Sequence, residues 1–346
     1  MKALRKPLLI LIVFLISMMV PLITGCGAKG IFVTNNIDKL DMNKAAWLVY
    51  WDLDSGEKDL VKLGKKVGKL SYFCAYFDEL DRLFVPPGIV DATTIHKGRK
   101  LQAETYLSFV NDKRRIDGTF ALKDLEVLRR WLSKEDLMDK HIDDIIEITK
   151  KMDLDGVEID YERVWKDEAI GKLFLRFVDK LHSRARDNKL KVRVVLEPNT
   201  PFTKSAFTKG PEYVVMFYNL YGLHSGPGPK ANKSFILKVL KQMENLPGEK
   251  AAAFSMGGSL WGSNGKKQLI TEQEAKALAS AHNVVPVRDG ESQSLFFEYV
   301  NEEVRYQVWY ADITTLNYWS SIVKAQGVNK VNLWRLGGNI DINKMN

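Results

Sequence analysis

The fold class the sequence predicts is a single (β/α)8 barrel, the TIM-barrel form of α/β architecture, with a small insertion after its seventh strand. Three observations carry this. Short runs rich in β-branched and aromatic residues alternate with amphipathic helical runs from Asn43 onward, and about eight of the former can be counted. The fourth run, Asp155 to Glu162 (DGVEIDYE), sets acids on one face and apolar side chains on the other. The chain has 346 residues with 45% hydrophobic content, enough for one barrel with a sizeable core.

Taken in order, the chain begins outside this pattern. Lys2, Arg5 and Lys6 precede an apolar run from Leu8 to Leu22 and the small-residue ending Ile23-Thr24-Gly25-Cys26. Residues 1–26 therefore read as a secretory leader. The ITGC ending resembles a bacterial lipobox, which would make Cys26 a lipidated N-terminus and the membrane a partner through that anchor. An uncleaved membrane anchor is the open alternative. Both readings put the remainder outside the cytoplasm, lipid-anchored or secreted. Residues 27–42 read as a linker and 43–342 as the barrel.

Within the barrel, Ala46 to Tyr50, Leu70 to Tyr76 and Glu104 to Val110 read as the first three strands. A helix from Asp139 to Met152 runs into the acidic strand, and Leu173, Phe174, Phe177, Val178 and Leu181 mark the next helix. Strands follow at Lys191 to Leu196, Tyr213 to Tyr218 and Lys250 to Ser255, with a helix at Ser234 to Met243. A helix at Thr315 to Ala325 and a strand at Lys330 to Trp334 close the series. Residues 257–311 interrupt the alternation and end in a hairpin from Leu295 to Tyr310 turned at Asn301-Glu302-Glu303. An insertion after a barrel strand falls on the catalytic face, so this one reads as a substrate-shaping subdomain.

The acidic strand is the candidate active site. Glu158, Asp160 and Glu162 share a face opposite Val157, Ile159 and Tyr161, and Glu162 lies at the C-terminal end, where barrel active sites are built. Three carboxylates in a row repel each other and raise at least one pKa, which suits a general acid. Solvated or ion-paired acids are the plain alternative. A retaining glycosidase with its acid on strand four and its nucleophile on strand seven needs Asp or Glu at the end of the latter, which instead reads AAAFSMGG. Glu197 is a second carboxylate at a strand end, although LEPNT equally suits a strand stopping before proline. The other route is substrate assistance, with Glu162 protonating the glycosidic oxygen, a 2-acetamido carbonyl attacking the anomeric carbon and Asp160 holding that acetamide.

On these residues the sequence resembles glycoside hydrolase family 18, whose fourth-strand motif is DxxDxDxE. Asp155, Glu158, Asp160 and Glu162 stand at its acidic positions. MFYN, Met216 to Asn219, falls where the family has Met-x-Tyr-Asp, so Tyr218 resembles the tyrosine that hydrogen-bonds the acetamide. LWRLGG, Leu333 to Gly338, falls at the eighth strand, so Trp334 resembles the tryptophan that forms the floor of the −1 sugar site in the family. YNLYGLHSGPGP and VWYADITTL resemble the bacterial spore-cortex and cell-wall N-acetylglucosaminidase branch. The resemblance implies retaining hydrolysis of β-linked N-acetylglucosamine glycans, with peptidoglycan favoured and chitin or N-glycan core as alternatives. It implies Glu162, Asp160 and Tyr218 as catalytic, and Asp155, Glu158, Met216, Asn219 and Trp334 as substrate-binding. Glu158 and Asn219 each replace an Asp of the pattern. Those departures keep a second class open, a catalytically silent glycan-binding member.

The remaining features narrow the field. Trp51 and Trp261 follow strand ends and are candidates for stacking on sugars. The five histidines show no metal-ligand spacing, so neither metal nor cofactor is expected. Removing the three leader bases takes the formal charge from +8 to +5, and the bases are interspersed with acids, which argues against nucleic acid. Cys74, in YFCAYF, reads as a small buried apolar residue. A monomer acting on a polysaccharide is expected.

Overall fold

The computed structural model describes residues 41–346. The expected leader, Cys26 and nearly all of the expected linker lie outside the described residues. Eight parallel strands form the barrel: β1 (Lys44–Val49), β2 (Lys69–Phe77), β3 (Glu104–Arg114), β4 (Gly156–Asp160), β5 (Lys191–Leu196), β6 (Glu212–Met216), β7 (Lys250–Ser255) and β8 (Lys330–Trp334). Each pairs with the next, and β8 pairs with β1 to close the ring. All eight lie where the β-branched and aromatic runs predict them.

The helices are α1 (Leu53–Leu63), α2 (Pro87–Gly98), α3 (Leu125–Leu132), α4 (Glu135–Lys151), α5 (Glu168–Asp187), α6 (Lys233–Met243), α7 (Glu272–Ala281) and α8 (Ile313–Ala325). One alternation fails. β5 leads into β6 through an irregular segment, residues 197–211, instead of a helix. Pro198, Pro201 and Pro211 explain it, because each removes a backbone donor and restricts the residue before it.

The outer faces of the strands carry the main core. Val157, Ile159 and Tyr161 pack with Phe174, Phe177, Val178 and Leu181 of α5, as strand and helix periodicity predict. Inside the barrel, Trp47, Phe73, Cys74, Tyr76, Val195 and Met216 belong to a second cluster. Burial holds the Cys74 thiol well above its usual pKa, so it is an inert lumen residue.

The insertion folds on its own antiparallel sheet. Its strands lie in the order Lys267–Ile270, Gly257–Gly262, Val304–Ala311, Leu295–Asn301 and Val287–Arg288, with α7 packed alongside. The predicted hairpin pairs Leu295 with Tyr310, and its two turn residues Glu302 and Glu303 have φ of 48° and 65°. Positive φ at both centres is the primed geometry that matches strand twist. Gly258 is obligatory at its crossing with the neighbouring strand, since a Cβ there would lie 1.7 Å from the Trp309 carbonyl oxygen.

Candidate active site

Alternation along β4 decides which acids enter the barrel. Val157 and Ile159 point outward, and beyond the strand Tyr161 does too, its hydroxyl 2.7 Å from His141 Nε2 on α4. Glu158 and Asp160 point inward and are both buried. Glu162 lies two residues past the strand and is fixed through its main chain. Its N–H donates to Asn111 Oδ1 (2.9 Å), and its carbonyl accepts from Asn111 Nδ2 (3.1 Å). The chain then turns through Arg163, at φ 62°, whose N–H donates to Glu197 Oε2 at 2.8 Å. Glu197 thus anchors the turn beside the candidate acid.

The electrostatics follow from burial. Asp160 is pushed well above the usual carboxylate range by desolvation, then by the charges of Glu162 and Glu158. Its Oδ1 has no hydrogen-bond partner among the described residues. Glu162 is also raised, by burial above all, with Glu197 and Asp112 adding to it. One group opposes this. Lys123 places its ammonium on Glu162 Oε2 and lowers that pKa, while its own main-chain N–H donates to Asp112 Oδ1 at 2.7 Å. Burial and the nearby Asp160 and Glu162 hold the Tyr218 phenol well above its usual pKa, so it remains a neutral donor. The mouth therefore carries carboxyl groups whose pKa values are raised by burial and a hydroxyl held neutral.

Trp334, at the end of β8, is held edge-on by Phe73 and Trp47, with ring centroids 4.8 and 5.7 Å away. Trp51 is 49% exposed at the rim, as a stacking residue requires. Beside Trp334 opens a cavity of about 450 Å³, lined in part by Trp51, Lys230, Ser255, Thr271 and Arg335.

Four of the residues expected to bind substrate have their side chains engaged within the protein. Asp155 is exposed at the opposite end of β4, about 17 Å along a strand from Asp160, and accepts hydrogen bonds from Thr105 N and Oγ1 (2.8 and 3.0 Å). It fastens the start of β4 to β3. Glu158 is sealed in the lumen. It accepts from Trp47 Nε1 (2.5 Å), Ser108 Oγ (2.5 Å) and Ser71 Oγ (3.0 Å), and pairs with Arg193 at 3.0 Å. Arg193 in turn pairs with Glu212, which also receives Lys69 and Lys330. The Glu158 carboxylate thus belongs to a buried ion network. Met216 lies beneath the site, 3% exposed, with Asn219 Nδ2 on its sulfur at 3.5 Å. Trp261 is buried in the inserted sheet, and its indole N–H donates to the Ser225 carbonyl at 3.2 Å. It ties the loop after β6 to the inserted sheet.

Sequence reasoning missed Asn111 and Lys123, which meet Glu162 from 51 and 39 residues away. His141 is structural, enclosed by Phe77, Trp131, Tyr161 and Phe177, and burial pulls its pKa down to about 3. Among the described residues no cluster suits a metal ion and no helix is long and apolar enough to cross a membrane.

A closed (β/α)8 barrel with raised carboxyls, a neutral tyrosine and a tryptophan at its C-terminal mouth has the organisation of a glycoside hydrolase. In motif and in fold the chain resembles glycoside hydrolase family 18. No family model matches the sequence. The chain is 25% identical over 265 residues to the uncharacterized glycosylase YvbX of Bacillus subtilis, covering 70% of this chain and 73% of that protein. It is 23% identical over 226 residues to the cortical fragment-lytic enzyme of Bacillus anthracis, covering 58% of this chain and half of that protein's length. Two solved structures share the fold. The Bacillus cereus spore cortex-lytic enzyme SleL has a TM-score of 0.74 at 18% identity, over 87% of this chain and 72% of that one. A chitinase from Chromobacterium violaceum has a TM-score of 0.73 at 18% identity, over 86% and 95%.

Proposed function

We propose that this protein is a retaining glycoside hydrolase that cleaves β-linked N-acetylglucosamine glycans by substrate assistance. The observation that carries the reading is the joint placement of Glu162 and Asp160, both raised by burial, with neutral Tyr218 and the ring of Trp334 at one barrel mouth. The sugar rests on Trp334. Glu162 gives its proton to the glycosidic oxygen as the bond to the anomeric carbon breaks. The acetamide oxygen of the same sugar closes on that carbon, Asp160 accepts the acetamide N–H, and Tyr218 donates to the acetamide. Water then adds from the face the leaving group left, its proton passing to Glu162, and configuration is retained.

Peptidoglycan is the favoured substrate, because curated and structural relatives include cortex-lytic enzymes. The structural likeness to a chitinase supports chitin as the second reading. The leader and Cys26 support export with a lipid anchor. An N-acetylglucosamine thiazoline, which mimics the cyclised intermediate, tests the mechanism. Competitive inhibition at least a hundredfold tighter than N-acetylglucosamine itself is expected, and equal affinity for the two contradicts substrate assistance.

A further inference from the structure

The cavity beside Trp334 contains a cation for which the reaction above has no use. Lys230 ends the loop between β6 and α6, and that loop is tied at several points. Leu220 N–H donates to the Lys230 carbonyl (3.1 Å), Trp261 Nε1 and Lys267 Nζ donate to the Ser225 carbonyl (3.2 and 2.8 Å), and Asn232 caps α6 by accepting from Phe235 N at 2.9 Å. The Lys230 ammonium is thereby delivered to the end of β7, where it donates to Ser255 Oγ at 3.1 Å. An ammonium has three donors, and this is the one hydrogen bond it makes among the described residues. No carboxylate there pairs with it.

The two acids that line the same cavity are already engaged. Asp52 holds Arg335 at 2.5 Å. Glu274 accepts from Thr271 N and Oγ1 (2.7 and 2.9 Å) in the capping box of α7. Burial and the neighbouring Arg335 pull the Lys230 ammonium down to about 8, which leaves it mostly charged at neutral pH and short of a counter-ion. The cavity is of the size of small-molecule sites, about 300–1,000 Å³. Trp334 lines the same cavity as Lys230, so a glycan laid on that ring shares the cavity with the ammonium.

We infer that this cavity is an acid-recognising subsite in which Lys230, supported by Arg335, takes a carboxylate borne by the glycan, so that the enzyme discriminates acid-substituted from neutral N-acetylhexosamine chains. The inference rests on the hydrolase reading for its place in the reaction, and it names what separates a peptidoglycan strand freed of its stem peptides, whose alternate sugars then carry a free lactyl carboxylate, from chitin, which carries none. A charge-assisted hydrogen bond in a partly desolvated site corresponds to about 10- to 100-fold in affinity.

The test uses three soluble tetrasaccharides: a peptidoglycan glycan with free lactyl carboxylates, the same glycan with those carboxylates amidated, and chitotetraose. Wild type should show kcat/KM at least about tenfold higher on the free acid than on the amide. Lys230→Met should abolish that preference while lowering the chitotetraose rate at least tenfold less than the free-acid rate, and Lys230→Arg should keep it. Equal wild-type rates on acid and amide, or equal losses on all three in Lys230→Met, overturn the inference. Calorimetric binding of the same glycans to Glu162→Gln keeps the two readings apart. If wild type cleaves none of them, the hydrolase reading fails. Acid-selective binding that disappears in Lys230→Met/Glu162→Gln then upholds the subsite, and equal binding of acid and amide overturns it.

Discussion

Asn111→Ala tests whether the candidate acid is positioned through its backbone. The Asn111 side chain accepts from Glu162 N (2.9 Å) and donates to the carbonyls of Glu162 (3.1 Å) and Asp124 (3.3 Å), and it is 1% exposed. Truncation leaves a buried N–H without a partner, at about 1–3 kcal/mol, and weakens two carbonyls that keep second lone pairs. The expected loss of stability is therefore about 2–4 kcal/mol, a Tm lower by roughly 3–6 °C for a folded chain of this size. The catalytic loss is separate in origin. Glu162 lies beyond the last strand pairing of β4, so without the clamp its carboxyl shifts, and a displacement of about 1 Å costs on the order of a hundredfold in rate. Calorimetric melting combined with kcat and KM on a soluble glycan, measured well below the melting point, separates the two effects. The account predicts a drop in kcat of about a hundredfold with KM within about threefold of wild type. A destabilised variant with unchanged kcat would refute the positioning argument, because the clamp would then serve stability alone.

Two further outcomes follow from charges in and around the site. Lys123 lowers the pKa of Glu162, so Lys123→Met should raise it and move the alkaline limb of the kcat/KM profile to higher pH; an unmoved or acid-shifted limb contradicts the pairing. His141 has a folded pKa of about 3 against 6.5 when unfolded, so the unfolded state gains the proton first as pH falls. Stability is full above about pH 6.5 and declines below it, by about 2 kcal/mol between pH 7.5 and 5.0 from this group. His141→Phe should lessen that decline by the same amount in urea titrations at the two pH values, and parallel declines would show that His141 is not buried neutral.

Local pattern sufficed for much of this protein. The eight strands are legible because each is a short apolar run between polar punctuation, and the inward turn of Asp160 follows from period-two alternation. The ring of Trp334 and the phenol of Tyr218 are found through short motifs at strand ends. What was not legible depends on partners distant in sequence. Nothing in DGVEIDYE reveals that Glu158 meets Arg193, Trp47, Ser71 and Ser108, or that Asp155 is taken up by the Thr105 main chain and hydroxyl. Asn111 follows a strand pattern and Lys123 precedes a helix, so both read as ordinary rim residues until the barrel closes. The missing helix after β5 was signalled by three prolines, a cue that the count of alternations outweighed. That Trp261 is buried was not legible either, because the residues after β7 continue as a second strand that encloses it.

The central claim is that Glu162 is the proton donor of a glycosidase. Hydrolysis of peptidoglycan and of chitin oligosaccharides by wild type and by Glu162→Gln, both confirmed folded by their melting curves, tests it most directly. The account predicts turnover of at least one of these glycans by wild type and a loss of about a hundredfold or more in the variant. Turnover of neither by wild type, or equal turnover by both proteins, would contradict it.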